Sequence, residues 1–310
     1  MSSGTRRACS ARAYPGPGPR RAMRVCGAAL VALVLSMLLA SSALAKSPKG
    51  AFAVFAQCPT ATATTCFYLS STGGELRLNK ASAVPFTKPI IVQGGIERNA
   101  KTGAETFIAA LNGETLSKTP ESLPGGLTGV LGACREIGNP LEKELCEEEF
   151  ETGKTAVNVI AELAKPASEI GISKANFIKD EAVSLKLPVK IRLENPFLGS
   201  ECYIGSSTSP VVWPLTTGTT KPSEPNKPIK GTSGKVEVLE SGTLEKALGA
   251  SLVENDFAAP TASGCGGIYS SLIDPIINEK FGLPAAAGTN TVILDGTVEF
   301  ASAEAVVKSE

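Results

Sequence analysis

The chemistry open to this chain is bounded first by an absence: there is no histidine in 310 residues, while there are eight cysteines. Without an imidazole there is no base for a serine or cysteine nucleophile of the triad type, no zincin-like metal site and no switch titrating near neutrality. No serine is followed three residues later by lysine, so the S-x-x-K arrangement is missing too. Gly153-Lys154-Thr155 imitates the end of a phosphate loop, but Glu148 stands where the first glycine of G-x-x-x-x-G-K-T belongs.

Carboxylates are the remaining reactive groups. Glu142, Glu144, Glu147, Glu148, Glu149 and Glu151 form a dense run that lacks the spacing and turn glycine of a calcium loop, and it reads as a solvated helix face. Asp256, Asp274 and Asp295 would make a glycosidase pair if two of them met in space. With one tryptophan and four tyrosines the aromatic platforms for sugar are scarce, and caps and turns are the plainer roles. No catalytic residue, metal or cofactor is assigned.

The cysteines point to structure and compartment. Arg20, Arg21 and Arg24 precede the apolar run from Val25 to Ala40, and Ser41-Ser42-Ala43-Leu44-Ala45 closes it, the pattern of a secretory signal cleaved after Ala45. Met23 is an alternative start, and Arg20-Arg21 makes a twin-arginine signal only if the upstream leader is translated. Removing residues 1–45 discards Cys9 and Cys26 and six arginines, leaving 24 basic against 30 acidic groups. An acidic exported chain is a poor partner for nucleic acid. No later apolar run is long enough to span a bilayer. Six cysteines in such a chain read as three disulfides, and of 15 pairings their placement favours Cys58–Cys66, Cys134–Cys146 and Cys202–Cys265. Metal binding is the alternative, without a C-x-x-C pair to support it.

The elements that must position these groups are mostly strands. From Val183 to Leu193 every second residue is apolar, while Ser184, Lys186, Lys190 and Arg192 fall between, so a strand with one dry and one cationic face is expected, with Pro188 at an edge or bulge. Short strands with close turns fill residues 51–111: a hairpin over Ala51–Leu69 clipped by the first disulfide, then turns at Gly73-Gly74 and Gly94-Gly95. Asn139-Pro140 opens a helical insert spanning about 134–166, with Leu141, Leu145, Phe150, Val157, Ile160 and Ala164 on one face. Strands are expected again over Glu169–Ile178, Glu201–Gly205, Val211–Leu215, Lys235–Leu239, Ala250–Phe257 and Thr291–Phe300, the last with a bulge or tight hairpin at Asp295-Gly296. Residues 216–234 have almost no apolar side chain and read as a mobile loop. A second helical patch, Gly267–Phe281, puts Ile268, Leu272, Ile276 and Ile277 on one side and is split at Asp274-Pro275. Glu-Asn-x-Phe recurs at Glu194 and Glu254, similar turn chemistry before Cys202 and Cys265. The expected fold is one mainly β domain over 46–310, a sandwich or irregular antiparallel barrel with a helical insert and a short C-terminal helical patch.

Four segments, E-N-P-F-L-G-S-E-C-Y-I-G-S from Glu194, P-L-T-T-G-T-T from Pro214, S-G-C-G-G from Ser263 and F-G-L-P-A-A-A-G-T-N-T from Phe281, carry a likeness. The chain from about Val183 to Phe300 resembles uncharacterised exported proteins of high-GC Gram-positive (actinobacterial) bacteria. That resemblance implies export and a conserved disulfide core, and it brings no activity. The functional expectation is an exported non-catalytic binding or structural module of the cell surface, with an unidentified envelope component as its partner. The alternative is a carrier enclosing an apolar small molecule such as a lipid, suggested by the dry face of the long strand and by Ile276-Ile277; a carboxylate glycoside hydrolase is more distant.

Overall fold

Alternating apolar side chains make strands the commonest regular element of the described residues, and the strands assemble into two antiparallel sheets. The computed structural model describes residues 47–127, 138–141, 144 and 155–310. The leader, Met23, Cys134, Cys146 and about half of the helical insert, with every glutamate of its run except Glu144, lie outside the described residues. In chain order the strands are β1 (Thr65–Leu78), β2 (Val84–Pro85), β3 (Ile90–Arg98), β4 (Glu105–Ala109), β5 (Glu121–Ser122), β6 (Asn158–Leu163) and β7 (Gly171–Ile172). The short helix α1 (Lys174–Lys179) precedes β8 (Leu185–Glu194), β9 (Tyr203–Ile204), β10 (Val211–Leu215), β11 (Lys235–Leu239), β12 (Leu244–Glu254) and β13 (Ala262–Ser263). Helix α2 (Ser270–Phe281), β14 (Asn290–Ser302) and α3 (Ala303–Lys308) complete the order.

The first sheet runs β11-β12-β14-β1-β3-β4, with β2 also on β1; the second runs β13-β9-β8-β6-β5, with β7 and β10 also on β8. Both orders are open, so the fold is a sandwich rather than a closed barrel. One core joins the inner faces: Phe67, Leu69, Val92, Leu252 and Val292 from the first sheet meet Leu187, Val189, Ile191 and Trp213 from the second. Residues 47–310 pack as one unit.

The long alternating run is the centre of the second sheet. Leu185, Leu187, Val189, Ile191 and Leu193 are all buried, while Val183, expected at its start, is exposed and precedes the strand. Strands β6 and β7 share one edge of β8, β9 and β10 the other. Pro188 accepts from Ala164 N on the β6 edge, and its missing N–H falls where β6 ends and β7 has yet to begin.

In the first sheet β14 is central, and both its neighbours bulge beside Gly296. The register slips between Ser71 and Gly73 in β1 and between Leu248 and Ala250 in β12. The bulge in β1 keeps the dry row inward, so that Leu69 and Leu76, of opposite parity, both reach the core. Gly73-Gly74 is therefore no turn, and β1 runs straight through it; Gly74 has φ +101° and no room for a side chain against the Ile293 carbonyl. Asp295-Gly296 likewise lies inside an unbroken strand.

Other expectations change for local reasons. Residues 50–55 form a 3-10 helix rather than a strand, because Phe52 and Phe55, three apart, both cover the outer face of the first sheet with Leu244, Ala301 and Val306. Gly94-Gly95 sits within β3, where a side chain on Gly95 would strike Ala63 in the loop closed by the first disulfide. The end of the supposed helical insert is β6, with Val159 and Ile160 buried in the sheet rather than on a helix face. Residues 167–179 hold a 3-10 turn, the two-residue β7 and α1, capped by Ser173, instead of one strand.

The loop at 216–234 is fastened despite its polarity. Thr216 bridges Val253, Thr232 bridges Ser251, the Thr217 hydroxyl donates to the Phe177 carbonyl at 3.0 Å, and Ser233 N donates to the Asp180 carboxylate at 2.7 Å. Hydroxyls here replace apolar anchors.

A methyl group at Gly296 would collide with the Ser70 carbonyl oxygen between the two bulges. Gly296→Ala is expected to cost about 2–4 kcal/mol, read as a lower urea midpoint. An unchanged midpoint would show that the sheet yields there at little cost.

Candidate functional site

Helix α2 carries two apolar rows at four-residue spacing. Ile273, Ile277 and Phe281 pack on the core. Ile268, Leu272 and Ile276 form the second row, which leads in from the 3-10 turn Gly267–Tyr269 and is exposed by 90%, 66% and 38%. The four residues expected on one side thus divide: Ile277 is inside, and the other three face out. Pro275 does not split the helix, whose twelve residues run to the left-handed cap at Gly282.

Covalent and polar bonds hold this helix in place. Cys202 is bonded to Cys265 across 63 residues, and Cys58 to Cys66 across 8. The Asp274 carboxylate accepts from Cys265 N at 2.7 Å and Gly264 N at 3.1 Å. The Asn278 amide exchanges two hydrogen bonds with the Ala262 backbone of β13. Gly266 N donates to Leu198 O at 2.7 Å, which sets the turn after β8 against the start of the helical patch. Asn195 shapes that turn, accepting from Phe197 N at 2.8 Å and donating to Ala156 O.

An apolar surface patch results. Phe197, Ile268, Tyr269 and Leu272 are each more than 60% exposed, and Ile276 continues the row. Neither 195–200 nor 266–273 contains a charged residue. The Gly266–Leu198 hydrogen bond sets the two segments side by side, and exposed apolar side chains gathered in this way are candidates for a contact site. The two Glu-Asn-x-Phe turns differ in outcome: Phe197 is exposed, whereas Phe257 is buried beside the Asn290 side chain that donates to its carbonyl.

No family model matches this chain, and no curated protein or solved structure does either. Its site is legible only from its own geometry.

The other sequence candidates have local duties. Asp274 caps the Gly264-Cys265 turn, Asp256 accepts from Ser223 N at 2.9 Å, and Asp295 lies in mid-β14 opposite Gly73 and Ser251. The cationic face of β8 is largely neutralised: Glu162 of β6 pairs with Lys190 at 3.4 Å and Arg192 at 3.1 Å, and Lys190 lies over the Tyr203 ring. Among the described residues no group of three or more acidic or cysteine side chains is placed to hold a metal, and no helix is long and apolar enough to cross a membrane. An open hollow of about 540 Å³ lies between Lys49, Phe52, Glu240 and Lys308; Lys49 Nζ is taken by the Glu310 carbonyl and Lys308 by Glu304.

Among the described residues Glu254, at the end of β12, is the one buried carboxyl with a shifted titration. Burial pushes its pKa up, the Asp256 charge adds to this, and hydrogen bonds from Asp256 N and Asn255 N oppose it. Between the ordinary glutamate range and the raised value the folded chain binds more protons than the unfolded one. Its contribution to stability therefore falls as pH rises through that window. Glu254→Gln is expected to melt above the wild type at neutral pH, the difference closing in acid; parallel melts across pH would expose a wrong sign.

Proposed function

We propose that this chain is an exported, disulfide-bonded binding module of the cell envelope, performing no chemistry of its own. The observation that carries the reading is the uncharged apolar patch of Phe197, Ile268, Tyr269 and Leu272, held rigid by Cys202–Cys265 and Asp274. Such a surface costs solubility, and a chain retains it where it is covered in use. The disulfides agree with an oxidising compartment, and the leader pattern with export. The carrier reading loses its two motives: the dry face of β8 is filled by Trp213 and its neighbours, and Ile276 and Ile277 sit on different sides of α2.

Fractionation of the producing cells tests this. The wild-type protein is expected in the envelope fraction, and Ile268→Asp in the medium. Wild-type protein recovered uniformly from the medium would sink the reading. Export into an oxidising compartment also implies that the six cysteines are fully oxidised. Peptide mapping without reduction is expected to recover Cys58–Cys66, Cys202–Cys265 and a third pair, Cys134–Cys146, whereas a free thiol among the six would refute it.

A further inference from the structure

Asn-Gly occurs once in the sequence, at Asn112-Gly113, in the turn that follows β4. The backbone nitrogen after an asparagine can close a succinimide ring on the side-chain carbonyl, and glycine, lacking a Cβ, obstructs that attack least. Every other asparagine of the chain is followed by a residue with a side chain, and Asn139 and Asn195 by proline, which has no N–H to lose. Asn112 and Gly113 are both exposed, and a Cβ on Gly113 would meet nothing within 4 Å. Solvent therefore reaches the reacting atoms.

The turn arranges those atoms. Asn112 Oδ1 accepts from Glu114 N at 2.9 Å, an Asx turn that carries the side-chain carbonyl back over the following backbone. The same N–H polarises Cγ and faces the oxygen that becomes an oxyanion on attack. Gly113 N donates to Ala110 O at 2.9 Å, and this bond must open before the nitrogen can give up its proton. It is a single bond in an exposed turn, and such bonds open at little cost. Gly113 has φ +77°, a conformation that glycine enters and leaves freely, so the turn can rearrange as the ring closes.

We propose that Asn112 is a site of self-modification, losing its side-chain amide through a succinimide formed with Gly113 N. Gly113 N gives its proton to hydroxide or water and bonds to Asn112 Cγ; the Cγ–Nδ2 bond breaks, and Nδ2 leaves as ammonia with a proton taken from water. Water then opens the ring. Breaking the bond from Gly113 N to Cγ leaves aspartate, and breaking the bond from that nitrogen to the main-chain carbonyl carbon leaves isoaspartate. Neither step needs a cofactor or an oxidant.

Asp295-Gly296 shows what selects the site. The same ring is chemically open to this pair, yet Gly296 is paired with Ser71 of β1 on one side and Ala250 of β12 on the other, and an extended strand held on both edges cannot fold back on itself. Asn112 lies past Ala109, where the pairing of β4 with β3 ends. The consequences fall on β3. Beyond the turn Thr115 O accepts from Gln93 N, Leu116 bridges Val92, and Ser117 N donates to Ile91 O, while the buried Thr115 hydroxyl accepts from Ala110 N at 3.0 Å. Isoaspartate adds a methylene to the main chain between Ala110 and Thr115, inside this clasp. Aspartate adds a negative charge two residues before Glu114.

The test is timed incubation of the oxidised protein in mildly alkaline buffer, followed by peptide mapping and methyltransferase labelling of isoaspartate. The folded wild type is expected to lose the amide of Asn112 before that of any other asparagine, faster as pH rises, with aspartate and isoaspartate both present in that peptide. Asn112→Gln is expected to abolish the acidic form, because the longer side chain closes its ring far more slowly. Urea-unfolded wild type is treated in parallel. Conversion of Asn112 in urea but not in the folded protein would show that the turn protects the amide, and the inference fails. Earlier loss at another asparagine of the folded chain, or no conversion in either state, would overturn it as well.

Discussion

The bond between Cys202 and Cys265 is the constraint on which the surface of this molecule depends. One end lies just before β9, where the chain returns from β8; the other lies between β13 and α2. By closing a loop of 63 residues it removes chain entropy from the unfolded state worth about 4 kcal/mol. Its local effect is as large. It brings Leu193 N to the Cys202 carbonyl, β13 to β9, and Gly266 to Leu198, so one covalent link fixes both the sheet edge and the start of the helical patch.

That arrangement explains why α2 can carry an outward apolar row. A surface helix is ordinarily held by its buried stripe alone, and a second stripe invites it to rotate or slide. Here rotation is blocked at three points: Asp274 on the Gly264-Cys265 backbone, Asn278 on Ala262, and Ile277 with Phe281 in the core. Two polar residues of the helix, Asp274 and Asn278, serve as clamps on the inward side, and the outward side carries Leu272 and Ile276 beside Ser271 and Glu279.

The sequence speaks clearly where apolar period decides structure and poorly where polar groups do. The alternation from Leu185 to Leu193 marks β8, the central strand of its sheet, because a strand flanked on both edges buries every second residue completely. Gly73-Gly74 carries the same signal for a turn and for a bulge, since either can use the positive φ of Gly74; only the partner strand, with Asp295 and Leu294 opposite, tells them apart. Residues 216–234 look unanchored because anchoring there runs through the hydroxyls of Thr216, Thr217 and Thr220 and the backbone of Ser233. Residues 158–163 alternate too weakly to be separated from a helix, and pairing with β8 decides the matter. In α2 the spacing suggests one apolar side of Ile268, Leu272, Ile276 and Ile277, and nothing in it says that Ile277 alone of the four turns inward. Phe197 had no signal at all: the same Glu-Asn-x-Phe turn buries its phenylalanine at Phe257.

The contrast between these two turns links packing to function. Asn255 and Asn290 tie the second turn into a network with Asn226, Lys227 and Phe257, and the phenylalanine fills the core beneath it. Asn195 builds the first turn with a different bond, its Oδ1 accepting from Phe197 N, and the neighbouring volume is already taken by Leu198, which is buried while Phe197 is not. The ring is left on the surface, on the turn whose Leu198 carbonyl accepts from Gly266 N. An isolated exposed phenylalanine would need no explanation; one placed by a shaped turn at the projecting end of an apolar helix row, with a disulfide holding the two together, is geometry that core packing does not require.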